Sequence, residues 1–292
     1  MQSEPVRDGE HAVQHFAGHD GTRLAYRTLG TGPLLLCLPG GPGRAAAYLE
    51  DLGGLAAHRT LVLLDSRGTG ASDLPADDFS YTAESLAQDV DGLRVHLGLE
   101  TADVLGHSAG AKVAQVWAAQ HPDRVGRLVL VTSYLDVSDA SLAEDRARVR
   151  AARADAPWYA AAHDAEEGMR YAPKGEQARL MREQRPFFYG RWTEREQEHA
   201  ASADHQTAPR ASSRFQTTTS PEDLRAQLGA LTAPVLVVAG ERDGLTPPVA
   251  GRRIHEAIPA SQYVEIARAG HFPWVDEPDG FLAAVLPFLS SD

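Results

Sequence analysis

The pentapeptide Gly106-His107-Ser108-Ala109-Gly110 sets a serine between small residues, behind the apolar run ADVL and ahead of the helix-like AKVAQVWAAQ. A serine held this way can occupy a strained strand-to-helix turn that lifts its hydroxyl above a sheet, and the glycines remove the side chains that would clash there. The spacing alone is common; with a strand before it and a helix after, it points to a nucleophile rather than to an inert glycine-rich turn. A serine hydroxyl needs a base, and the base needs an orienting carboxylate. His271 stands in Ala269-Gly270-His271-Phe272-Pro273, after the last apolar strand run, and Asp243 stands in Gly240-Glu241-Arg242-Asp243-Gly244, after VLVVA. Both sites lie just past strand carboxyl ends, where reacting groups collect in open α/β sheets. Asp136, after LVLVTS, is the rival acid, and a plain turn before glycine is the ordinary alternative role for Asp243. Strand context and the chain order Ser, Asp, His favour Asp243. His11, His58, His121 and His255 are assigned surface or core roles.

An acyl-transfer site also needs two N–H groups for the oxyanion. Leu38-Pro39-Gly40-Gly41-Pro42-Gly43 follows an apolar run and leaves backbone amides uncovered. Gly41 is the candidate for one donor, because Pro42 has no N–H, and Ala109, next after the serine, is the candidate for the other. A plain Gly/Pro turn explains the loop equally well in isolation. No cofactor is implied: G-x-G-x-x-G and G-x-x-x-x-G-K-[ST] are absent from this loop, and neither H-E-x-x-H nor a cysteine cluster offers a metal site.

Elements must place these residues. Short apolar runs alternate with helical patterns, the signature of βαβ units and a mostly parallel central sheet flanked by helices. Strands are expected at Val13–Phe16, Arg23–Thr28, Leu34–Leu38, Thr60–Leu64, Ala102–Leu105, Arg127–Val131, Val235–Ala239 and Tyr263–Ile266, with helices over Ser85–Leu97, Ala109–Ala119 and Phe281–Leu289. From about Leu135 the apolar strand runs stop, and Ala, Arg, Glu, Gln and aromatics take over; a structureless loop that long is improbable, so an inserted helical cap is expected. The division is a core over 1–134 and 222–292 with a cap over 135–221, and Ala208–Pro221 as the returning hinge.

Composition sets the outer limits. With 28 Lys and Arg against 40 Asp and Glu, mixed along 292 residues, the net charge is −12, which excludes the basic face that nucleic acid needs. No stretch approaches the roughly 18 apolar residues of a membrane span, and the N-terminus lacks a signal-like pattern, so a cytoplasmic protein with no membrane partner is expected. Cys37, the one cysteine, is expected to pack inside a buried strand.

Taken together, PGGPG at 39–43, DSRGTGASD at 65–73, GHSAG at 106–110, PVLVVAGERDGLTPP at 234–248 and AGHFPW at 269–274 resemble the α/β-hydrolase superfamily and, within it, the proline iminopeptidase branch. The resemblance implies the α/β-hydrolase fold and a Ser108–His271–Asp243 triad. Asp65 and Arg67 match the branch's aspartate-x-arginine-glycine segment, read as shaping the loop beside the site. Two departures stand out: Pro39 replaces the branch's loop histidine, and GHSAG replaces its GGSWG elbow. In that branch cap acids hold the amine of an N-terminal proline, which makes Glu194 and Glu198 candidates, from a group with Glu183 and Glu196, beside the aromatic walls Phe187, Phe188 and Trp192.

The expected activity is hydrolysis of a carboxylic ester or amide through an acyl-enzyme, on a small molecule or short peptide. An aminopeptidase for N-terminal proline competes with an esterase, lactonase or specialised biosynthetic hydrolase. A ligand receptor with vestigial turnover is the alternative of another class, because one fold hosts many functions. An aspartate elbow, as in epoxide and haloalkane hydrolases of this fold, is replaced here by Ser108.

Overall fold

The computed structural model describes residues 12–136 and 138–290; His11 lies outside them. Eight strands form one sheet: β1 (Gln14–Ala17), β2 (Arg23–Leu29), β3 (Leu34–Leu38), β4 (Thr60–Asp65), β5 (Ala102–His107), β6 (Val125–Val131), β7 (Val235–Gly240) and β8 (Ser261–Ile266). Their spatial order is β1-β2-β4-β3-β5-β6-β7-β8. β2 runs antiparallel to both neighbours and every other pair is parallel.

The apolar runs are continuous because each interior strand feeds two cores. Successive side chains alternate across a sheet. In β3, Leu36 and Leu38 enter one core with Val90, Leu93 and Trp117, while Leu35 and Cys37 enter the other with Leu49, Leu55 and Phe281. Helices α1 (Ala83–His96), α2 (Ala109–Gln120), α8 (Pro221–Gly229) and α9 (Pro248–Ala257) supply buried residues to the first core. Helices α10 (Pro273–Asp276) and α11 (Pro278–Ser290) cover the second.

Between β6 and α8 the chain is helical: α3 (Ala140–Ala151), α4 (Tyr159–Met169), α5 (Lys174–Gln184), a 3₁₀ turn Arg185–Phe188, α6 (Glu194–Gln206) and α7 (Pro209–Arg214). Buried Arg44 ties α6 to the glycine-rich loop by donating to Gln206, the His199 carbonyl and Ser202. The expected hinge 208–221 is instead held down. Ala83 N–H donates to Gln216 O at 2.8 Å, and one Glu84 oxygen accepts from Thr217, Thr218 and Thr219.

Chain order reverses between β3 and β5, since the chain passes from β3 out to β4 before returning on β3's other side. That switch point leaves a crevice at the strand carboxyl ends, the usual ligand position in open α/β sheets. The loop at 39–43 and the turn at Ser108 are its two lips. Asp65 and Arg67 brace the near lip: Asp65 accepts from the Ala46 and Ala71 amides at 2.8 and 3.0 Å and from Arg27, and fully buried Arg67 pairs with Asp89 and Asp20 at 2.8 and 2.7 Å.

Candidate active site

Ser108 has φ 55° and ψ −119°, a conformation side chains rarely adopt, at the junction of β5 and α2. Its neighbours make the turn possible. A Cβ on Gly106 would sit 2.6 Å from Ala111 Cα, and one on Gly110 would sit 2.2 Å from Leu38 O. Ser108 N–H donates to Val131 O at 2.9 Å, and its carbonyl accepts from Ser133 Oγ at 3.1 Å, so sheet and helix over-determine the turn. Among the described residues Ser108 Oγ makes no hydrogen bond, and with His271 it lines one cavity.

Asp243 is fully buried after β7. One carboxylate oxygen accepts from the amides of Leu245 and Thr246, both at 2.8 Å; the other meets His271 Nδ1 at 2.8 Å. A carboxylate only accepts, so Nδ1 carries the ring proton and Nε2 remains a base. The histidine's backbone is equally fixed: its N–H donates to Phe188 O at 2.6 Å, and its carbonyl accepts from Thr132 Oγ1 at 3.0 Å and His107 Nε2 at 2.8 Å. Asp136 is elsewhere, accepting from its own neighbour Ser138.

His107 is a residue at the heart of this arrangement that the motif reading passed over. Gly40 N–H donates to Tyr48 Oη at 2.7 Å, Tyr48 lies 2.6 Å from His107 Nδ1, and His107 Nε2 reaches the His271 carbonyl. An amide can only donate and a carbonyl only accept, so every proton in the chain has one direction: Tyr48 gives its hydroxyl proton to Nδ1 and His107 carries its own on Nε2. Burial, with the neighbouring His271, holds the His107 imidazole well below the ordinary histidine range and so neutral. The glycine-rich loop and the base are thereby joined through the elbow. Gly40 itself is pressed against the serine; a Cβ there would come within 2.8 Å of Ser108 Cβ.

Gly41 lines the crevice beside Ser108 with φ 119°, and the N–H groups of Gly41 and Ala109 have no partner among the described residues. Two cavities meet at the serine. The larger, about 650 Å³, is lined by Ser108, His271, Tyr48, Phe188 and α5 residues including Met181 and Arg182. The smaller, about 170 Å³, is lined by Gly41, Pro42, Ser108, Ala109, Tyr134, Leu142, Arg146, Leu245 and Thr246.

Of the five candidate cap contacts, only Phe188 lines a cavity. Phe187 is fully buried in the cap's own core, edge-on to Trp158 and Tyr159. Trp192 packs on Tyr189, while Glu194 and Glu198 are exposed and face neither cavity. Glu196 is consumed by a capping box with Thr193 and by Arg191, and Glu183 pairs with Arg179. The carboxylate that does line the site is Asp204, and it is paired with Arg185. Among the described residues no group of three or more His, Cys, Asp or Glu is arranged to hold a metal, and no helix is long and apolar enough to cross a membrane.

Comparison with known proteins agrees with this architecture. Residues 33–278 match the family described as alpha/beta hydrolase fold. A proline iminopeptidase of Levilactobacillus brevis is 27% identical over 91% of this chain and 92% of its own. An N-formylmaleamate deformylase of Pseudomonas putida is 30% identical over 92% of this chain and 94% of its own. The crystal structure of an esterase from a Rhodococcus species superposes with a TM-score of 0.75 at 25% identity, covering 96% of this chain and 98% of that one.

Proposed function

We propose, from the premise that the chain belongs to the α/β-hydrolase fold family and is a hydrolase, that it cleaves a carboxylic ester or amide through an acyl-enzyme on Ser108. His271 Nε2 takes the Oγ proton as Oγ attacks the carbonyl carbon, and Asp243 stabilises the imidazolium that forms. The Gly41 and Ala109 amides hold the oxyanion. Collapse expels the leaving group with the proton from His271; water, deprotonated by the same ring, then releases the acid and restores Ser108. The single observation that carries this reading is the buried 2.8 Å contact of Asp243 with His271 Nδ1 on a histidine that opens into the same cavity as Ser108. The proline iminopeptidase, deformylase and esterase relatives support the same reaction class.

Between an esterase-like and an aminopeptidase activity, we favour the former. An N-terminal ammonium is best held by a free carboxylate, and among the described residues the one carboxylate lining the cavities, Asp204, already has an arginine partner. Initial rates on p-nitrophenyl butyrate and prolyl p-nitroanilide, with Ser108→Ala as the blank, test both levels. The butyrate should be hydrolysed, and Ser108→Ala should lower turnover by about 10³-fold or more with an unchanged far-UV spectrum. Retained turnover in clean mutant protein would sink the nucleophile assignment; strong preference for the prolyl anilide would restore the aminopeptidase.

A further inference from the structure

The small cavity carries a charge that nothing in the proposed reaction uses. Arg146, half-buried on α3, spends its Nε on Leu245 O at 3.1 Å, and its two terminal nitrogens have no partner among the described residues. Among the described residues it forms no ion pair within 4.0 Å; Asp145 pairs with Arg148 and Arg252, Glu166 with Arg150, and Asp243 with His271. Arg146 therefore lines a space shared with Tyr134, Leu142, Leu245, Thr246 and Pro42, and its guanidinium, held by Nε against Leu245 O at that wall, has donors to spare.

The chemistry assigns an occupant to each cavity. A leaving group must reach the imidazole that protonates it, and His271 lines only the larger cavity. The smaller one holds Gly41, Ser108 and Ala109 without the histidine, so it receives the acyl group. Its volume of about 170 Å³ is five to six times the roughly 30 Å³ of a liquid water, room for a short chain of about six heavy atoms. We infer that Arg146 is a specificity residue for an acyl group ending in a carboxylate: the preferred substrate is a monoester or monoamide of a short dicarboxylic acid. This rests on the acyl-enzyme reading above. It also accounts for the disfavoured aminopeptidase, since an N-terminal prolyl group would bring its ammonium beside an unpaired guanidinium.

Monomethyl glutarate and methyl pentanoate differ only in a terminal carboxylate against a methyl group. Acid release from both, followed at constant pH with Ser108→Ala as the blank, gives the ratio of their kcat/KM values. The glutarate ester should be preferred by about tenfold to hundredfold, as expected of a charge-assisted contact. Arg146→Gln should bring the ratio close to one, and Arg146→Lys should keep most of it. A wild-type ratio at or below one, or a ratio unmoved by Arg146→Gln, overturns the inference while Ser108-dependent hydrolysis of methyl pentanoate leaves the hydrolase reading standing. Calorimetric binding of glutarate and pentanoate to Ser108→Ala protein reads the same contact without turnover. Glutarate binding no tighter than pentanoate, or equally tight after Arg146→Gln, overturns it even if neither ester is cleaved.

Discussion

Tyr48 links the glycine-rich loop to the elbow, receiving the Gly40 amide on its oxygen and giving its proton to His107. Tyr48→Phe removes both bonds and leaves a buried N–H and a buried ring nitrogen unpaired, a loss of about 2–4 kcal/mol of stability by ordinary hydrogen-bond accounting. Because Gly41 follows the released amide, kcat on p-nitrophenyl butyrate should fall about tenfold with KM moving less. Unchanged kcat and KM per folded molecule, with stability alone reduced, would show that Tyr48 merely fills space. The role of His107 was not legible from GHSAG, because the residue before the serine is read as a spacer in the motif; its partners lie 59 and 164 positions away. Ser108, Asp243 and His271 could be proposed as a set from the sequence because each sits next to a strand end; the structure puts Asp243 against His271 and lines one cavity with His271 and Ser108.

At the scale of elements, the strands were readable because two-sided burial writes itself as runs such as LLLCL, whereas the cavity walls were not. Tyr134, Leu142, Arg146 and Leu245 come from three separate stretches, so no spacing marks them until the fold brings them together. The cap aromatics misled for a related reason: a layer of helices needs a core of its own, and Phe187 with Trp158 and Tyr159 supplies it. Helix α9 was not among the expected helices: its buried face of Ala250, Gly251, Ile254 and Ala257 offers a single large apolar side chain to mark the period. The return from cap to core depends on Glu84, whose carboxylate gathers the Thr217–Thr219 segment. Glu84→Ala should cost about 1–2 kcal/mol and expose 215–219 to limited proteolysis, with Glu84→Gln intermediate. Unchanged urea midpoints and cleavage patterns would remove Glu84 from that role.

Across the whole molecule, Asp276 joins cap to core by accepting from the Gly190 amide at 2.9 Å and the Gly270 amide at 2.7 Å. Burial pushes its carboxyl up from 3.8 to about 7, against the pull of those two N–H groups. Between those values the native state holds a proton that the unfolded chain has lost, so this contribution to stability is full below about pH 4 and is lost as pH rises through 7. Asp276→Asn keeps an oxygen for both amides and cannot ionise. Its melting temperature relative to the wild type should therefore climb by several degrees between pH 5 and pH 8, and parallel curves would show that Asp276 does not titrate there. Further bonds fasten the same seam: Gly244 N–H to Phe187 O at 3.0 Å, His271 N–H to Phe188 O, and Arg242 to Gly190 O at 3.1 Å. Helices α4 and α5, by contrast, pack chiefly on one another and on the 3₁₀ turn, while α5 walls the larger cavity. Such a molecule can diverge in one place at a time. Substitutions in α4 and α5 can reshape the wall of the larger cavity while the seam that holds Gly190, Gly244 and His271 stays as it is.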